Sequence, residues 1–132
     1  MLYCLDTNII IDFFENEKEI VKNMQELEQQ QVSFSITPII LCELYKGAYL
    51  GPKQNARLEL INALLKRANV LQFTNQASNI YGQKYAELKK KGKQTQEADL
   101  MIAAITIAHN AVLITRNIKH FKNIKELKVI SW

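Results

Sequence analysis

Three acidic side chains stand out because apolar residues surround each of them in the sequence. Asp6 ends the stretch LYCLD, Glu43 lies within IILCEL, and Asp99 lies within ADLMIAAI. A carboxylate that loses its water on folding and finds no partner shifts its pKa and becomes neutral. None of these stretches contains a lysine or arginine, so neighbouring ion pairs are not obvious. A divalent cation shared by the three acids would compensate their charges if the fold brings them together.

Carboxylate oxygens are the ligands that suit Mg²⁺ or Mn²⁺. Such an ion can polarise a phosphoryl oxygen and activate water. Residues 1–83 contain seven Lys or Arg and nine Asp or Glu, whereas residues 84–132 contain ten and four. A concentrated positive surface attracts phosphate polymers or an acidic partner protein. The acidic residues and the basic segment together favour a metal-dependent nuclease.

Each candidate also has an ordinary structural explanation. Asp6 and Asp99 could lie at helix N-termini, where the helix dipole favours an acid. Glu97, two residues before Asp99, could join the site or favour the start of the same helix. The spacings between successive acids encode no geometry by themselves. His109 and His120 are expected at surface or capping positions, because no nucleophile pattern accompanies them.

The composition is that of a compact folded protein. The chain has 132 residues, of which 48% are hydrophobic and 23% charged, and we expect one domain over residues 1–132. Cys4 and Cys42 lie in apolar stretches without CxxC spacing, so we expect both to be buried free thiols in a reducing compartment. No basic leader precedes an apolar segment, and no apolar run reaches about 18 residues. These features predict a cytoplasmic protein that does not enter a membrane.

Short strands separated by amphipathic helices organise the chain. The apolar stretches predict strands over Met1–Leu5, Val32–Ile36, Asn69–Phe73, Ala111–Thr115 and Leu127–Ser131. Apolar residues at helical spacing predict helices over Glu17–Gln29, Pro38–Tyr49, Arg57–Ala68, Asn75–Lys91 and Gln96–His109, with Thr37 and Thr95 as N-caps.

Strands that alternate with helices predict an α/β fold, a three-layer α/β/α sandwich with a central, mainly parallel sheet of about five strands. In such sheets ligands bind at the carboxyl ends of the strands, near the point where the strand order reverses. Asp6 ends the first predicted strand, and Asn117 follows the fourth. Both are therefore expected at the edge of a binding site.

Four segments, taken in order, resemble the motifs of PIN-domain proteins: LDTNIIIDFF, ITPIILCELYKGA, EADLMIAAITIAHNAVLITRNIKHF and LKVISW. The resemblance is closest to the VapC toxins of bacterial and archaeal VapBC toxin–antitoxin pairs and covers nearly the whole chain. It implies a single PIN-like domain and a ribonuclease that uses Mg²⁺ or Mn²⁺. It also implies that the protein cleaves structured RNA such as tRNA or rRNA, leaves a 5′-phosphate, forms a homodimer and is silenced by a VapB-like antitoxin.

The resemblance implies a role for each acid. Asp6, Glu43 and Asp99 match the three acids of the family that hold the metal ion and take part in catalysis. Asp6 and Asp99 would bind the ion directly, and Glu43 would more often act through water. Thr7 and Asn8 fall in the polar turn that follows the first motif, where they would help to orient the site.

The segment after the fourth predicted strand carries the remaining matches. Thr115 matches the hydroxyl residue that orients the acids by hydrogen bonds. Asn117 stands at a catalytic position where the family often has aspartate; its amide can still bind a metal-bound water or donate to phosphate, but the missing charge weakens the case for a second metal ion. Arg116, Lys119 and Lys122 are candidates for RNA phosphate contacts, with a solvated charged surface as the alternative.

Other classes of protein share parts of this pattern. A phospho-acceptor receiver domain would need an acidic pair at the first strand, but Thr7 follows Asp6, and no aspartate lies between Asp12 and Asp99. A haloacid-dehalogenase-type phosphatase would need DxD, whereas this chain has DTN. The alternative that remains is a PIN-like binding module without catalysis, acting through its partner, which should bind no ion at the acidic pocket.

Overall fold

The fold is built on one parallel sheet of five strands. The structure is a computed structural model that describes residues 1–132. The strands are β1 Leu2–Leu5, β2 Ser33–Ile36, β3 Asn69–Val70, β4 Val112–Thr115 and β5 Lys128–Ser131. Their order across the sheet is β3-β2-β1-β4-β5, and every neighbouring pair is parallel. The predicted parallel sheet is confirmed, and the strand order reverses between β1 and β4.

Six α-helices connect the strands. They are α1 Thr7–Phe14, α2 Lys18–Gln29, α3 Pro38–Leu50, α4 Gln54–Arg67, α5 Asn75–Lys90 and α6 Glu97–Ala108, and a 3₁₀ turn at Ile118–His120 follows β4. Five of these helices lie where the apolar spacing predicted them. None of the helices is both long and apolar enough to cross a membrane.

Both faces of the sheet are covered. Successive residues of a strand point to opposite faces, yet Cys4 and Leu5 of β1 are both buried, as are Leu113 and Ile114 of β4. Strands buried on both faces are typical of parallel sheets that have helices packed on either side. The predicted three-layer α/β/α arrangement is therefore confirmed.

Helix α1 begins directly after β1, where the sequence suggested a polar turn at Thr7 and Asn8. These two residues form the first turn of α1, and Asp6 is its N-cap: Asp6 Oδ1 accepts a hydrogen bond from the Thr7 backbone N–H at 2.9 Å. The helix buries Ile9 and Ile10 completely. Burial of this apolar pair favours helix over turn, so the turn prediction is wrong and the helix-terminal role considered for Asp6 is correct.

The N-termini of α3 and α6 show whether the predicted N-caps Thr37 and Thr95 form. Thr37 caps α3 as expected: its Oγ1 accepts from the Ile40 backbone N–H at 3.1 Å, and Pro38 is the first helical residue. Thr95 does not cap α6, because Gln96 occupies that position without a side-chain cap bond. The first turn of α6 instead contains Glu97 and Asp99, whose negative charges interact favourably with the helix dipole.

The two cysteines differ in environment, contrary to expectation. Cys4 is fully buried, and burial raises the pKa of its thiol to about 12. Cys42 is exposed. It lies on α3, whose buried side is formed by Ile40, Leu44 and Ala48. Residue 42 lies on the opposite side of a helix with that spacing, so the apolar sequence around it did not imply burial.

Candidate active site

The four residues singled out as catalytic candidates line one open cavity. Asp6, Glu43, Asp99 and Asn117 surround about 280 Å³ of space. Asp6 follows β1 and Asn117 follows β4, the two strands between which the strand order reverses. Glu43 comes from the middle of α3 and Asp99 from the first turn of α6. The cavity therefore lies where parallel sheets of this kind bind ligands.

Two hydrogen bonds hold the Asp6 carboxylate in place. Oδ1 accepts from the Thr7 backbone N–H, and Oδ2 accepts from the Thr115 hydroxyl at 2.7 Å. The Asp6 backbone N–H donates to the carbonyl of Ile114 at 2.9 Å, which extends the pairing between β1 and β4 by one residue. Asp6 is 7% exposed. Its carboxylate is consequently oriented before any ligand binds.

Thr115 is the centre of this hydrogen-bond network. Besides donating to Asp6, its fully buried Oγ1 accepts from the Asn117 backbone N–H at 3.0 Å and from Asn8 Nδ2 at 3.4 Å. Asn8 Oδ1 in turn accepts from the Arg116 backbone N–H at 3.2 Å. A single hydroxyl thus links the end of β4 to the first turn of α1 and to Asp6.

The other two acids are also paired with neighbouring side chains. The Thr7 hydroxyl donates to Glu43 Oε1 at 2.8 Å. His120 Nδ1 lies 3.4 Å from Asp99 Oδ2. His120 is exposed, as expected for a surface position, and the 3₁₀ turn also places it on the cavity that Asn117 lines. Because that turn carries no apolar period, nothing in the sequence indicated this position.

The cavity is strongly negative. Burial raises the pKa of Asp99, and the charges of Asp6 and Glu43 raise it further, while His120 opposes the shift. No lysine or arginine lines the cavity. Gln96, which the sequence did not single out, adds a neutral amide to its wall. Three carboxylates thus repel one another in a space that offers no permanent positive charge.

The residues present fit a hard divalent cation in donor chemistry and in charge. The polar side chains from which such an ion could draw its ligands carry oxygen donors, which suit Mg²⁺ or Mn²⁺. No three His, Cys, Asp or Glu side chains are gathered closely enough to form a ready-made cage. Each carboxylate is instead held by its own neighbour: Thr115 for Asp6, Thr7 for Glu43, and His120 for Asp99.

The three basic residues named as RNA contacts have different surroundings. Arg116 pairs with Asp12 at 2.9 Å and with Glu17 at 2.8 Å, so its charge is already compensated inside the protein. Lys119 lines a second cavity that adjoins the acidic one. Lys122 is exposed and lines neither cavity. Of the three, Lys119 is the one that the fold brings near the acids.

Known proteins resemble this chain over nearly its whole length. The model of the PIN domain matches residues 3–127. Ribonuclease VapC1 of Haemophilus influenzae is 37% identical over 134 residues, which cover 100% of this chain and 98% of the relative. The tRNA(fMet)-specific endonuclease VapC of Salmonella typhimurium is 31% identical, with 98% of this chain and 97% of the relative covered.

A solved structure supports the same relationship at the level of the fold. The crystal structure of VapBC2 from Rickettsia felis, bound to a DNA fragment from their promoter, contains a chain that superposes with a TM-score of 0.91. The sequences are 32% identical, and the match covers 100% of this chain and 99% of that chain.

Proposed function

The chain belongs to the PIN-domain family and, within it, to the VapC ribonucleases, and from this membership and the acidic cavity we propose that it is a metal-dependent endoribonuclease. In this proposal the protein is the toxin of a type II toxin–antitoxin pair and acts in the cytoplasm as one PIN-like domain spanning residues 1–132. Its substrate is a structured RNA of the tRNA or rRNA type, and cleavage leaves a 5′-phosphate.

The convergence of Asp6, Glu43 and Asp99 on one cavity carries this proposal. The three acids lie in different elements, 37 and 56 residues apart in the chain, and line the same space without a lysine or arginine. An uncompensated cluster of this kind costs stability, because each charge opposes the ionisation of the others. A divalent cation bound among the acids would offset this repulsion, and the cluster therefore supports a metal-binding site.

Asp6 and Asp99 would hold Mg²⁺ or Mn²⁺ directly, with Glu43 acting through water. When bound, the ion supplies Lewis-acid activation of a phosphodiester oxygen and of water. The chain's own residues orient the donors: Thr115 holds Asp6, Thr7 holds Glu43, and both bonds exist in the structure. These fixed acids reduce the reorganisation needed when substrate arrives.

Asn117 completes the catalytic set as a neutral residue. Its backbone N–H is held by the Thr115 hydroxyl, and its side chain lines the acidic cavity. The amide can donate a hydrogen bond to a phosphate oxygen, which an ionised aspartate cannot do. Because it adds no negative charge, we propose that the free protein holds one ion rather than two.

We propose a VapB-like antitoxin as the partner that occludes the site. An apolar cavity of about 320 Å³ adjoins the acidic one and shares Ile11 and Glu43 with it. A partner segment seated there would cover the approach to Glu43. A homodimer is the other proposed assembly, and the exposed Tyr49 and Leu50 at the end of α3 offer apolar surface for it.

Cleavage of purified tRNA and rRNA by the wild-type protein and by Asp6→Asn tests the proposed activity. We expect Mg²⁺- or Mn²⁺-dependent cleavage by the wild type, its loss in EDTA, and a reduction of at least about 100-fold in Asp6→Asn, comparable to the loss of other strong electrostatic groups in active sites. Glu26→Gln, an acid on α2 outside the cavity, is the matched control.

Calorimetric titration with Mn²⁺ separates the proposal from the inactive binding module. The wild-type protein should bind one ion, and Asp6→Asn should bind it more weakly. Cleavage that persists in EDTA would exclude the metal-dependent mechanism. Failure of the wild type both to bind Mn²⁺ and to cut either RNA would favour the binding module instead.

A further inference from the structure

We propose that the RNA strand leaves the acidic cavity on one side only, along a groove between the loop after α5 and the 3₁₀ turn, and ends against Tyr85. This inference rests on the proposed ribonuclease function and adds the path of its substrate. Lys119, Lys93 and Lys89 contact successive phosphates along this groove, and Tyr85 stacks on a base.

The groove is continuous from the acids to α5. The acidic cavity shares Gln96, Asp99 and His120 with a second cavity of about 230 Å³. That second cavity shares Gln94 and Thr95 with a third cavity of about 340 Å³. Because each cavity shares lining residues with the next, the three form one open path along residues 94–96.

Lysines without acidic partners accompany this path. Lys119 lines the second cavity, and Lys89 and Lys93 line the third. None of these three forms an ion pair within the protein, whereas Lys84 and Arg116 of the basic segment pair with carboxylates. Their free ammonium groups are available to neutralise phosphates.

The same two chain segments carry further uncompensated charge. Lys91 follows α5, and Lys125 lies between the 3₁₀ turn and β5. Contact with Lys125 and its positive charge lower the pKa of Lys91. The charge of Glu87 opposes this shift without reversing it, so the two lysines still produce a positive potential that favours an anion. Their presence extends the positive surface around the groove.

An aromatic ring lies at the far end of the path. Tyr85 lines the third cavity and is 44% exposed. Its ring packs against Tyr81 with the centroids 6.1 Å apart, and Lys89 Nζ lies 6.0 Å from the ring centroid. An exposed ring next to a phosphate-binding cation is the combination that binds single-stranded nucleic acid. The one acid in this cavity, Glu97, lies beside Tyr81. Burial raises the pKa of the Tyr81 hydroxyl, and the charge of Glu97 raises it further.

The opposite side of the acidic cavity lacks these features. The cavity that adjoins it through Ile11 and Glu43 is lined mainly by apolar and small residues of α1 and α3. Its arginine, Arg57, is already paired with Glu15. An RNA backbone on this side would meet one lysine without an acidic partner, Lys53. The groove offers three such lysines. The charge distribution therefore selects the groove for the RNA strand.

An RNA-binding measurement in EDTA tests this path without requiring cleavage. The probe is a fluorescein-labelled, single-stranded 12-nucleotide RNA of mixed sequence, and its binding is followed by fluorescence anisotropy. The variant Lys93→Ala/Lys119→Ala should bind about fivefold more weakly per lysine at 0.1 M salt, and the slope of log K against log salt should fall by about 0.7 per lysine. The matched control is Lys22→Ala/Lys66→Ala, two exposed lysines that line none of the cavities and have no acidic partner.

Substitution of Tyr85 tests the stacking contact separately. Tyr85→Ala should weaken binding about fivefold or more without changing the salt slope, and Tyr85→Phe should retain the wild-type affinity. Cleavage assays with Mg²⁺ should show a higher KM for long RNA in the lysine variant and an unchanged kcat.

The outcomes separate the two proposals. Groove and control variants that bind RNA equally well, or a wild-type protein that does not bind the oligonucleotide, would overturn the path. A normal binding pattern together with absent cleavage would instead reject the proposed ribonuclease function and leave the RNA groove supported.

Discussion

Thr115 shows how a single hydroxyl can organise a charged site. It has one hydrogen to donate and two lone pairs to accept with, and the structure uses all three, toward Asp6, Asn117 and Asn8. No other hydrogen-bond donor contacts Asp6 Oδ2 from a side chain. The direction of the Asp6 carboxylate therefore depends on a fully buried hydroxyl that does not itself line the cavity.

Replacement of Thr115 by valine keeps the shape of the side chain and removes its hydroxyl. We expect Thr115→Val to lower the free energy of unfolding by about 1–2 kcal/mol, because buried polar partners lose a hydrogen bond, and to reduce cleavage at least tenfold. Thr115→Ser, which retains the hydroxyl, should preserve most of both. Thermal unfolding and the tRNA cleavage assay measure these effects; equal behaviour of the valine and serine variants would show that the hydroxyl does not orient Asp6.

Asp99 allows stability and activity to be separated. Burial and the neighbouring acids raise its pKa in the folded protein, so ionised Asp99 opposes folding at neutral pH. Because the pKa is raised, the protonated Asp99 carboxyl contributes to the free energy of unfolding below the pKa of the unfolded state. This contribution is lost as the pH rises through the pKa of the folded state. We expect Asp99→Asn to raise the Tm in EDTA at pH 7 by a few degrees while abolishing cleavage.

Two comparisons check this prediction for Asp99. The stabilisation of the asparagine variant should disappear at a pH where the wild-type carboxyl is protonated in both states. Addition of Mg²⁺ should raise the Tm of the wild type more than that of Asp99→Asn, because a bound ligand stabilises the folded state in proportion to its affinity. A lower Tm of Asp99→Asn in EDTA at pH 7 would mean that His120 and not repulsion dominates at this residue.

At the level of secondary-structure elements, a buried lysine connects α5 to the last strand. Lys84 is 4% exposed, and its Nζ lies 3.0 Å from Glu126 Oε1 and 3.6 Å from Glu87 Oε2. Glu126 lies two residues before β5 and has a positive φ of 73°. The pair therefore fixes the loop before β5 against α5, and the sequence did not indicate it because Lys84 is one of many lysines in the basic segment.

We expect Glu126→Ala to lower the free energy of unfolding by about 1–2 kcal/mol. Its loss leaves the buried Lys84 ammonium with the longer contact to Glu87, and the exposure of Glu126 keeps the effect below that of a fully buried pair. Glu87→Ala is the matched control and should cost less. Urea titrations followed by circular dichroism compare the two; an equal or larger loss in Glu87→Ala would contradict the role assigned to Glu126.

The helices that carry the acids were located more accurately than the turns that connect them. Helix α3 was predicted with its cap because Thr37 and Pro38 form a recognised start signal, and α6 was predicted because its apolar residues extend almost all round. Helix α1 was anticipated only as a helix that Asp6 could begin, without bounds, and the 3₁₀ turn that presents His120 was not predicted. Both are short, and their course depends on what packs beneath them rather than on a local period.

At the scale of the whole molecule, charge is distributed between distinct regions. The acids of the cavity lie beside a groove with free lysines on one side and an apolar cavity on the other. The net charge of +4 does not reveal this arrangement, because it adds the acids of the cavity and the lysines of the groove into one sum. In the proposed function, the RNA strand and the antitoxin would therefore approach the same acids from different directions.

The proposed homodimer is tested at its exposed apolar end. Leu50 is 81% exposed and Tyr49 is 61% exposed. We expect Leu50→Lys to convert a wild-type dimer to a monomer in sedimentation equilibrium, because a charge in an apolar interface loses its water. Phe73→Lys, at an exposed apolar residue elsewhere, should leave the dimer intact. A monomeric wild type, or equal dissociation in both variants, would exclude this interface.

The sequence by itself determined the fold class, the succession of strands and main helices along the chain, and which three acids to expect in one pocket, because these follow from local hydrophobic periods and from motifs that are contiguous in the chain. Only the tertiary structure decided how the acids are held, why Cys42 is exposed, and that His120 and Gln96 join the cavity. These depend on contacts between residues far apart in the sequence, such as Thr115 with Asp6, 109 positions away. Asp6 is therefore recognisable from its flanking residues, whereas the direction of its carboxylate depends on a strand that the chain forms much later.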